Sequence, residues 1–144
     1  MMYLDKPSDF NAKFEIVSCF CENNGKILLL HRQDGTPQAN TWGVPAGKVK
    51  DNEDIKQAMI REILEETGIS FSSDMLTYFS KVFVRYSDYD FVYHIFSVNT
   101  VGKKIVKINP KEHKGFRWVT PENALNLPLV PDLDDCIKLF FEIQ

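Results

Sequence analysis

Three carboxylates, Glu62, Glu65 and Glu66, stand at i, i+3 and i+4 spacing in the stretch GKVKDNEDIKQAMIREILEETGI, which runs from Gly47 to Ile69. On a helix that spacing brings side chains within about 5 to 6 Å of one another, so the three form one cluster of like charge. Glu65 and Glu66 fall in the last turn before Gly68, where the backbone dipole is already negative, and a helix built for stability alone would avoid them there. A hard divalent cation resolves the conflict. Magnesium is usually held by one or two carboxylates together with water and substrate phosphates, and manganese accepts the same oxygen donors. The plainer alternative is a solvated acidic face in which Arg61 and Glu65 make an ordinary i, i+4 pair.

To act on a substrate these carboxylates need a helix that presents them at a cleft. The pattern predicts that helix from about Glu53 to Thr67, with Asp51 or Asn52 placed to cap its first amides and Gly68 placed to end it. At about 100° per residue, Met59, Ile60, Ile63 and Leu64 fall within one arc, the stripe that would pack on the core. The three glutamates occupy the neighbouring arc, close to where the helix meets the rest of the protein.

The surrounding elements read as strands. Lys13 to Glu22 and Lys26 to Arg32 are apolar runs separated by Asn23, Asn24 and Gly25, and an Asn-Gly pair between strands favours a tight hairpin. Gln33 to Trp42 is too irregular for an element. Trp42 to Gly47 reads as one short strand ending in a loop, because Pro45 cannot donate to a sheet ladder and Gly47 permits unusual dihedrals. Met75 to Tyr86 and Asp90 to Asn99 are rich in β-branched and aromatic residues and predict a long hairpin. A polar segment through Asn109 and Pro110 leads to a short strand, GFRWVT. Thr120 is then placed to cap a helical turn with Pro121 at its first position. The last segment, PDLDDCIKLFFEIQ, predicts a helix packing Leu133, Ile137 and Phe140 or Phe141.

With 144 residues, 44% of them hydrophobic and 26% charged, the chain has the size and composition of one self-folding soluble domain spanning residues 1–144. A net charge of −3 with a pI near 5.6 argues against a protein whose main task is to neutralise a nucleic-acid backbone. A small phosphorylated ligand, with a metal supplying positive charge, remains compatible. No apolar run approaches a membrane span, and MMYLDKPSDF lacks the basic start and apolar stretch of a signal peptide, so the expected location is cytoplasmic and no membrane partner is expected. Three cysteines do not make a disulfide framework. Cys19 and Cys21 would share one strand face, and packing is the simplest role for them.

Gly47, five residues, Glu53, seven residues, then Arg61-Glu62-Ile63-x-Glu65-Glu66-x-Gly68-Ile69 resembles the Nudix hydrolase signature without a departure. Eight restricted positions follow the glycine at fixed spacing, over about a sixth of the chain. Outside that box, strands before it, a strand hairpin after it, an Arg117-Trp118 strand and a final helix are similar in order to the family's α/β/α sandwich with a mixed sheet. The resemblance implies metal-dependent hydrolysis of a nucleoside diphosphate linked to another group. By position it implies Glu65 and Glu66 as magnesium ligands and Glu62 as a further ligand or the residue that activates water. It further implies Arg61 and Glu53 as structural partners within the catalytic box, and Gly47 as the residue that shapes the turn. The carbonyl of Ala46 and the side chain of Glu112, six residues ahead of Trp118, are implied additions to the metal's ligands.

For the substrate, Arg32, Lys48 and Arg85 are candidate phosphate donors, and Trp42, Tyr86, Phe91, Tyr93 and Trp118 are candidates to stack on a base. For each of these a solvated or core position is the plainer reading. His31, His94 and His113 form no close ligand pair, and packed or surface roles are expected, His113 being the least ordinary because it adjoins Glu112. The short chain favours a nucleoside triphosphate or modified nucleotide as substrate, with a monomer or homodimer as the working form. A dinucleoside polyphosphate is the rival, since Tyr86 lies seventeen residues after Ile69, where hydrolases of that type in this family often have a tyrosine. A nucleotide sensor without turnover is the rival outside enzymes.

Overall fold

The computed structural model describes residues 1–100 and 105–144. Strand β1 is Met2–Tyr3, β2 Ala12–Asn23, β3 Lys26–Arg32, β4 Trp42–Gly43 and β5 Ala46–Lys48, followed by helix α1, Ile55–Thr67. Strands β6 (Thr77–Arg85) and β7 (Asp90–Asn99) form the long hairpin, and β8 (His113–Val119) leads to α2 (Pro121–Ala124) and α3 (Leu133–Phe141). The polar connection between β7 and β8 contains residues 101–104, which lie outside the described residues.

The sheet is mixed. Its order is β1-β6-β7-β2-β3-β4, with β5 added to β2 and β8 to β3. Strand β2 runs parallel to β7, and the other pairings are antiparallel. Asn24 (φ 51°) and Gly25 (φ 76°) both take the left-handed conformation that the tight β2–β3 turn requires. Strands β2 and β3 pair only beside that turn, at Glu22 with Ile27 and Asn23 with Lys26. Farther along, β2 pairs with β5 and β3 with β4 instead, while β8 runs along the other edge of β3 from Ile27 to Arg32, so β2 and β3 separate beyond their turn. That opening is where the site forms.

Each face of the sheet carries its own core. On one side Val17, Cys19, Cys21, Leu28, Leu30 and Phe96 pack against Met59 and Ile63 of α1. On the other, Phe20, Ile27, Leu29, Val82 and Ile95 pack against Leu133, Cys136 and Ile137 of α3. The layers are therefore helix, sheet, helix, as expected. Cys19 and Cys21 share a buried face, and all three cysteines are free thiols. Phe140 and Phe141 of α3 flank Phe20, with ring centroids 4.9 and 5.3 Å away.

Several local expectations are corrected. The stretch from Trp42 to Gly47 is two strands rather than one, because Val44 and Pro45 break the ladder between β4 on β3 and β5 on β2. The β6 strand begins at Thr77, a short 3₁₀ turn (Ser73–Met75) taking the residues before it. Asp54 precedes α1 as its cap residue but its side chain accepts no capping hydrogen bond, and among the described residues neither Asp51 nor Asn52 accepts one from the helix amides. The loop is closed instead by Glu53, which accepts from the Lys50 amide at 3.0 Å, while Asn52 is in the left-handed conformation. Gly68 ends the helix as expected, at φ 74° with its amide on the Leu64 carbonyl. Thr120 caps α2 through the Asn123 amide at 3.2 Å.

The buried stripe of α1 is also rotated from the expected one. Leu64 is 48% exposed, whereas Ala58, Met59, Ile63, Glu66 and Thr67 are buried. Met59, Ile63 and Glu66 are related by i, i+4 and i+7, so Glu66 lies on the core line itself rather than beside it.

Candidate active site

Arg61 organises the acidic end of α1. Its Nε and Nη2 donate to the two oxygens of Glu53 at 2.7 and 2.9 Å, Nη2 also donates to the Lys48 carbonyl at 3.1 Å, and Nη1 reaches Glu62 Oε1 at 2.7 Å. A planar guanidinium suits such a two-pronged pair. Arg61 holds the Glu53 carboxyl well below the usual range, at about 2, with the Lys50 amide adding to the effect. One side chain thereby joins loop, strand β5 and helix. The i, i+4 contact with Glu65 is looser, at 3.5 Å, and Glu65 keeps half its side chain in solvent.

Glu62 and Glu66 face strand β5. A Cβ built on Gly47 would stand 2.1 Å from Glu62 Cδ, so only glycine leaves room for that carboxyl. Gly47 does not take a left-handed φ, which corrects its expected role: it shapes the site by absence of a side chain, not by turning the chain. The Ala46 amide donates to Glu66 Oε2 at 3.2 Å. Glu66 is only 4% exposed, and burial, then the charge of Glu62, push its carboxyl well above the usual range. Glu62 is also raised, chiefly by burial. Two carboxylates forced together with one amide donor and one guanidinium between them have unspent negative charge. Glu112, in the turn before β8, is close enough to add its own field to Glu66.

This donor set fits a divalent cation: it consists of carboxylate oxygens, two of them raised by burial, and a charge opposite in sign would relieve both. Among the described residues no three acidic, histidine or cysteine side chains close into a finished cage. An open arrangement is what magnesium favours, because it retains waters and takes oxygens from a substrate phosphate.

Behind β5 lies a cavity of about 240 Å³, walled by Ile16, Val84, Tyr86, Phe91, Tyr93, Val130, Leu133 and Cys136, with Arg32, Lys48, His113 and Asp132 among its polar lining; the Lys48 ammonium rests over the Phe14 ring, 4.3 Å from its centroid. Ala46 and Gly47 line it as well, so the same short strand touches the carboxylates and the cavity. Of the expected substrate contacts, Arg32, Lys48, Tyr86, Phe91 and Tyr93 reach this cavity. Burial, and the nearby Asp132, push the Tyr86 hydroxyl up to about 12.

Three expected contacts go elsewhere. The Trp42 ring is stacked on His31, centroids 4.2 Å apart, with the Arg117 guanidinium 5.6 Å from its centroid, and it does not line the cavity. Arg85 is claimed by Asp90 at 2.8 Å and Asp9 at 3.2 Å, and borders an adjoining hollow instead. Trp118 packs against the core on the α1 side.

His113 was the residue that sequence reasoning undervalued. It opens β8 directly opposite Arg32 of β3, is buried, and has Nε2 3.9 Å from Glu66 Oε1. Burial, then the Arg32 charge, lower its imidazole to about 4, so the ring is neutral near pH 7. The signal was its place beside Glu112, but the register that brings it to Glu66 is a tertiary fact.

A family profile described as NUDIX domain matches residues 13–140. The chain belongs to the Nudix hydrolase family. It is therefore an enzyme that hydrolyses phosphorus anhydrides, in a family that generally uses divalent metal ions and whose members act on small nucleotides. It is 32% identical over 132 residues to the CTP pyrophosphohydrolase of Escherichia coli K12, covering 90% of this chain and 93% of that one. It is 38% identical over 66 residues to the RNA pyrophosphohydrolase of Pasteurella multocida, a match that covers 46% of this chain and 31% of that one. Among solved structures, the MutT protein of Methanosarcina mazei superposes with a TM-score of 0.76 at 25% identity, covering 94% of this chain and 97% of that one. No helix among the described residues of this Nudix chain is long and apolar enough to cross a membrane.

Proposed function

We propose that the chain hydrolyses a nucleoside triphosphate or modified nucleotide by water attack at phosphorus, releasing a nucleoside monophosphate and diphosphate or another phosphorylated group. The observation that carries this reading is the double contact of β5. Glu66 and Glu62 meet Ala46 and Gly47 on one side, and an aromatic cavity meets the same residues on the other. A base seated among Tyr86, Phe91 and Tyr93 would hold its phosphates at the carboxylates.

In this reading Glu65 and Glu66 hold Mg2+, or Mn2+ in its place, with Glu112 and the Ala46 carbonyl as additional ligands. Glu62 is a further ligand or the group that takes the proton from the attacking water. A divalent ion held by these residues would supply positive charge against that building on the phosphoryl oxygens and would lower the pKa of the water. Arg61, itself locked by Glu53, keeps the Glu62 carboxyl at β5. Arg32 and Lys48, which line the cavity, would meet the phosphates through charge-assisted hydrogen bonds. Trp42 and Arg85 have no part in this arrangement.

A dinucleoside polyphosphate is the second reading. Tyr86 stands at the junction between the cavity and the adjoining hollow, which also share Gln38, Pro131 and Asp132, so a second nucleoside would have a surface to rest on. A panel of nucleoside triphosphates, dinucleoside polyphosphates and nucleotide sugars, each with magnesium and with manganese, tests both. One triphosphate turned over two orders of magnitude faster than the rest supports the first reading. Binding in magnesium without any product, across the panel, makes the chain a sensor and sinks both.

A further inference from the structure

We propose that His113 is a positioning residue that holds the Glu66 carboxylate in its metal-binding orientation. The inference rests on the reading of Glu66 as a metal ligand. Both side chains are buried, at 4% and 6% exposure, and Nε2 stands 3.9 Å from Glu66 Oε1. That gap is about 1 Å longer than a hydrogen bond and closes with a small movement of either side chain. The Ala46 amide already holds the other oxygen, Oε2, at 3.2 Å. Once that gap closes, each oxygen has an N–H, rotation of Glu66 is restrained, and each oxygen still has a second lone pair for a cation.

The other ring nitrogen makes the case specific. His113 Nδ1 is buried and has no hydrogen-bond partner among the described residues. Leaving a buried polar atom unpaired costs stability, and an apolar side chain of similar size would avoid that cost. A histidine retained for packing alone is therefore a poor solution at this position. Facing a carboxylate, the ring carries its proton on Nε2, so Nδ1 is the bare lone pair. The chain tolerates the loss at Nδ1 because Nε2 is needed at Glu66. Groups that orient a ligating carboxylate from behind typically change metal affinity by 10- to 100-fold when removed.

The test measures Mn2+ binding to the full chain without substrate, by the electron paramagnetic resonance signal of the free ion, together with thermal melting. His113→Leu removes the donor and the unpaired atom; His113→Gln returns an N–H near the Nε2 position; His113→Asn returns one near Nδ1 instead. His113→Leu is expected to bind Mn2+ about 10- to 100-fold more weakly while melting no lower than wild type. His113→Gln recovers most of the affinity, and His113→Asn does not. Wild-type affinity in His113→Leu, or equal affinities in the Gln and Asn variants, overturns the role; the latter comparison decides even where the Leu variant fails to fold. A wild-type chain that binds no Mn2+, or a Glu66→Gln chain that binds it unchanged, overturns the metal reading of Glu66 as well.

Discussion

Replacing Gly47 by alanine adds one methyl group at the point where strand and helix come closest. The backbone allows it, since Gly47 lies in β5 without a left-handed φ. The space does not: the new Cβ would stand 2.1 Å from Glu62 Cδ and 2.3 Å from each of its oxygens, where ordinary contact begins at 3.4 Å. The carboxyl must retreat by more than about 1 Å, a displacement at a reacting site that costs on the order of 100-fold in rate. That corresponds to about 2.7 kcal/mol of lost transition-state stabilisation. What yields is the end of a flexible side chain, so the fold loses little beyond the Arg61–Glu62 pair. A partly exposed pair of this kind is worth about 1 kcal/mol at most, a melting shift of roughly 2 to 4 °C in a domain of this size. The assay is kcat/KM on the best substrate of the panel, beside a thermal melt. A Gly47→Ala enzyme within threefold of wild type, with an intact melt, would show that the working position of Glu62 is not against β5.

The other predictions use the same contrast between chemistry and stability. Glu66→Gln should lower turnover by hundreds-fold and raise the melting temperature in metal-free buffer. The folded carboxyl titrates above its unfolded value, so wild type loses stability as pH rises from about 4.3 through the raised value, and the amide does not; a variant that melts lower across that range refutes the burial argument. Glu53→Gln should show the opposite pH course. The Glu53 contribution is fully present above about 4.3 and disappears as pH falls to about 2, so the melting difference between wild type and variant should shrink over that interval. Ile63→Ala should cost about 2 to 5 kcal/mol in denaturant unfolding, and Leu64→Ala less than about 1 kcal/mol, because only the first is buried. Equal losses would mean that α1 packs by the other stripe.

Much of the scaffold was legible in local sequence because its signals act over a few residues. Asn24 and Gly25 mark the hairpin turn through positive φ, Gly68 ends α1 the same way, and Thr120 caps α2, each decided by neighbours in the chain. Helical spacing likewise placed Glu62, Glu65 and Glu66 on adjoining arcs before any contact was known. The same arithmetic misjudged Leu64 and Glu66, since an apolar stripe defines a helix face only to within the width of one residue, and the sheet chose the rotation that buries Met59, Ile63 and Glu66 together.

What the sequence determined by itself was the row of carboxylates, its helix and the family signature that contains them, because these are set by spacing along one element. What tertiary structure decided was which carboxylate loses its water, why residue 47 has no side chain, and which histidine stands behind Glu66. Those depend on β5 pairing with β2 and β8 with β3, registers fixed by hydrogen bonds between distant segments. The cavity has the same origin. It exists because β2 and β3 separate beyond their turn, and no local run of residues records how far apart two strands will open.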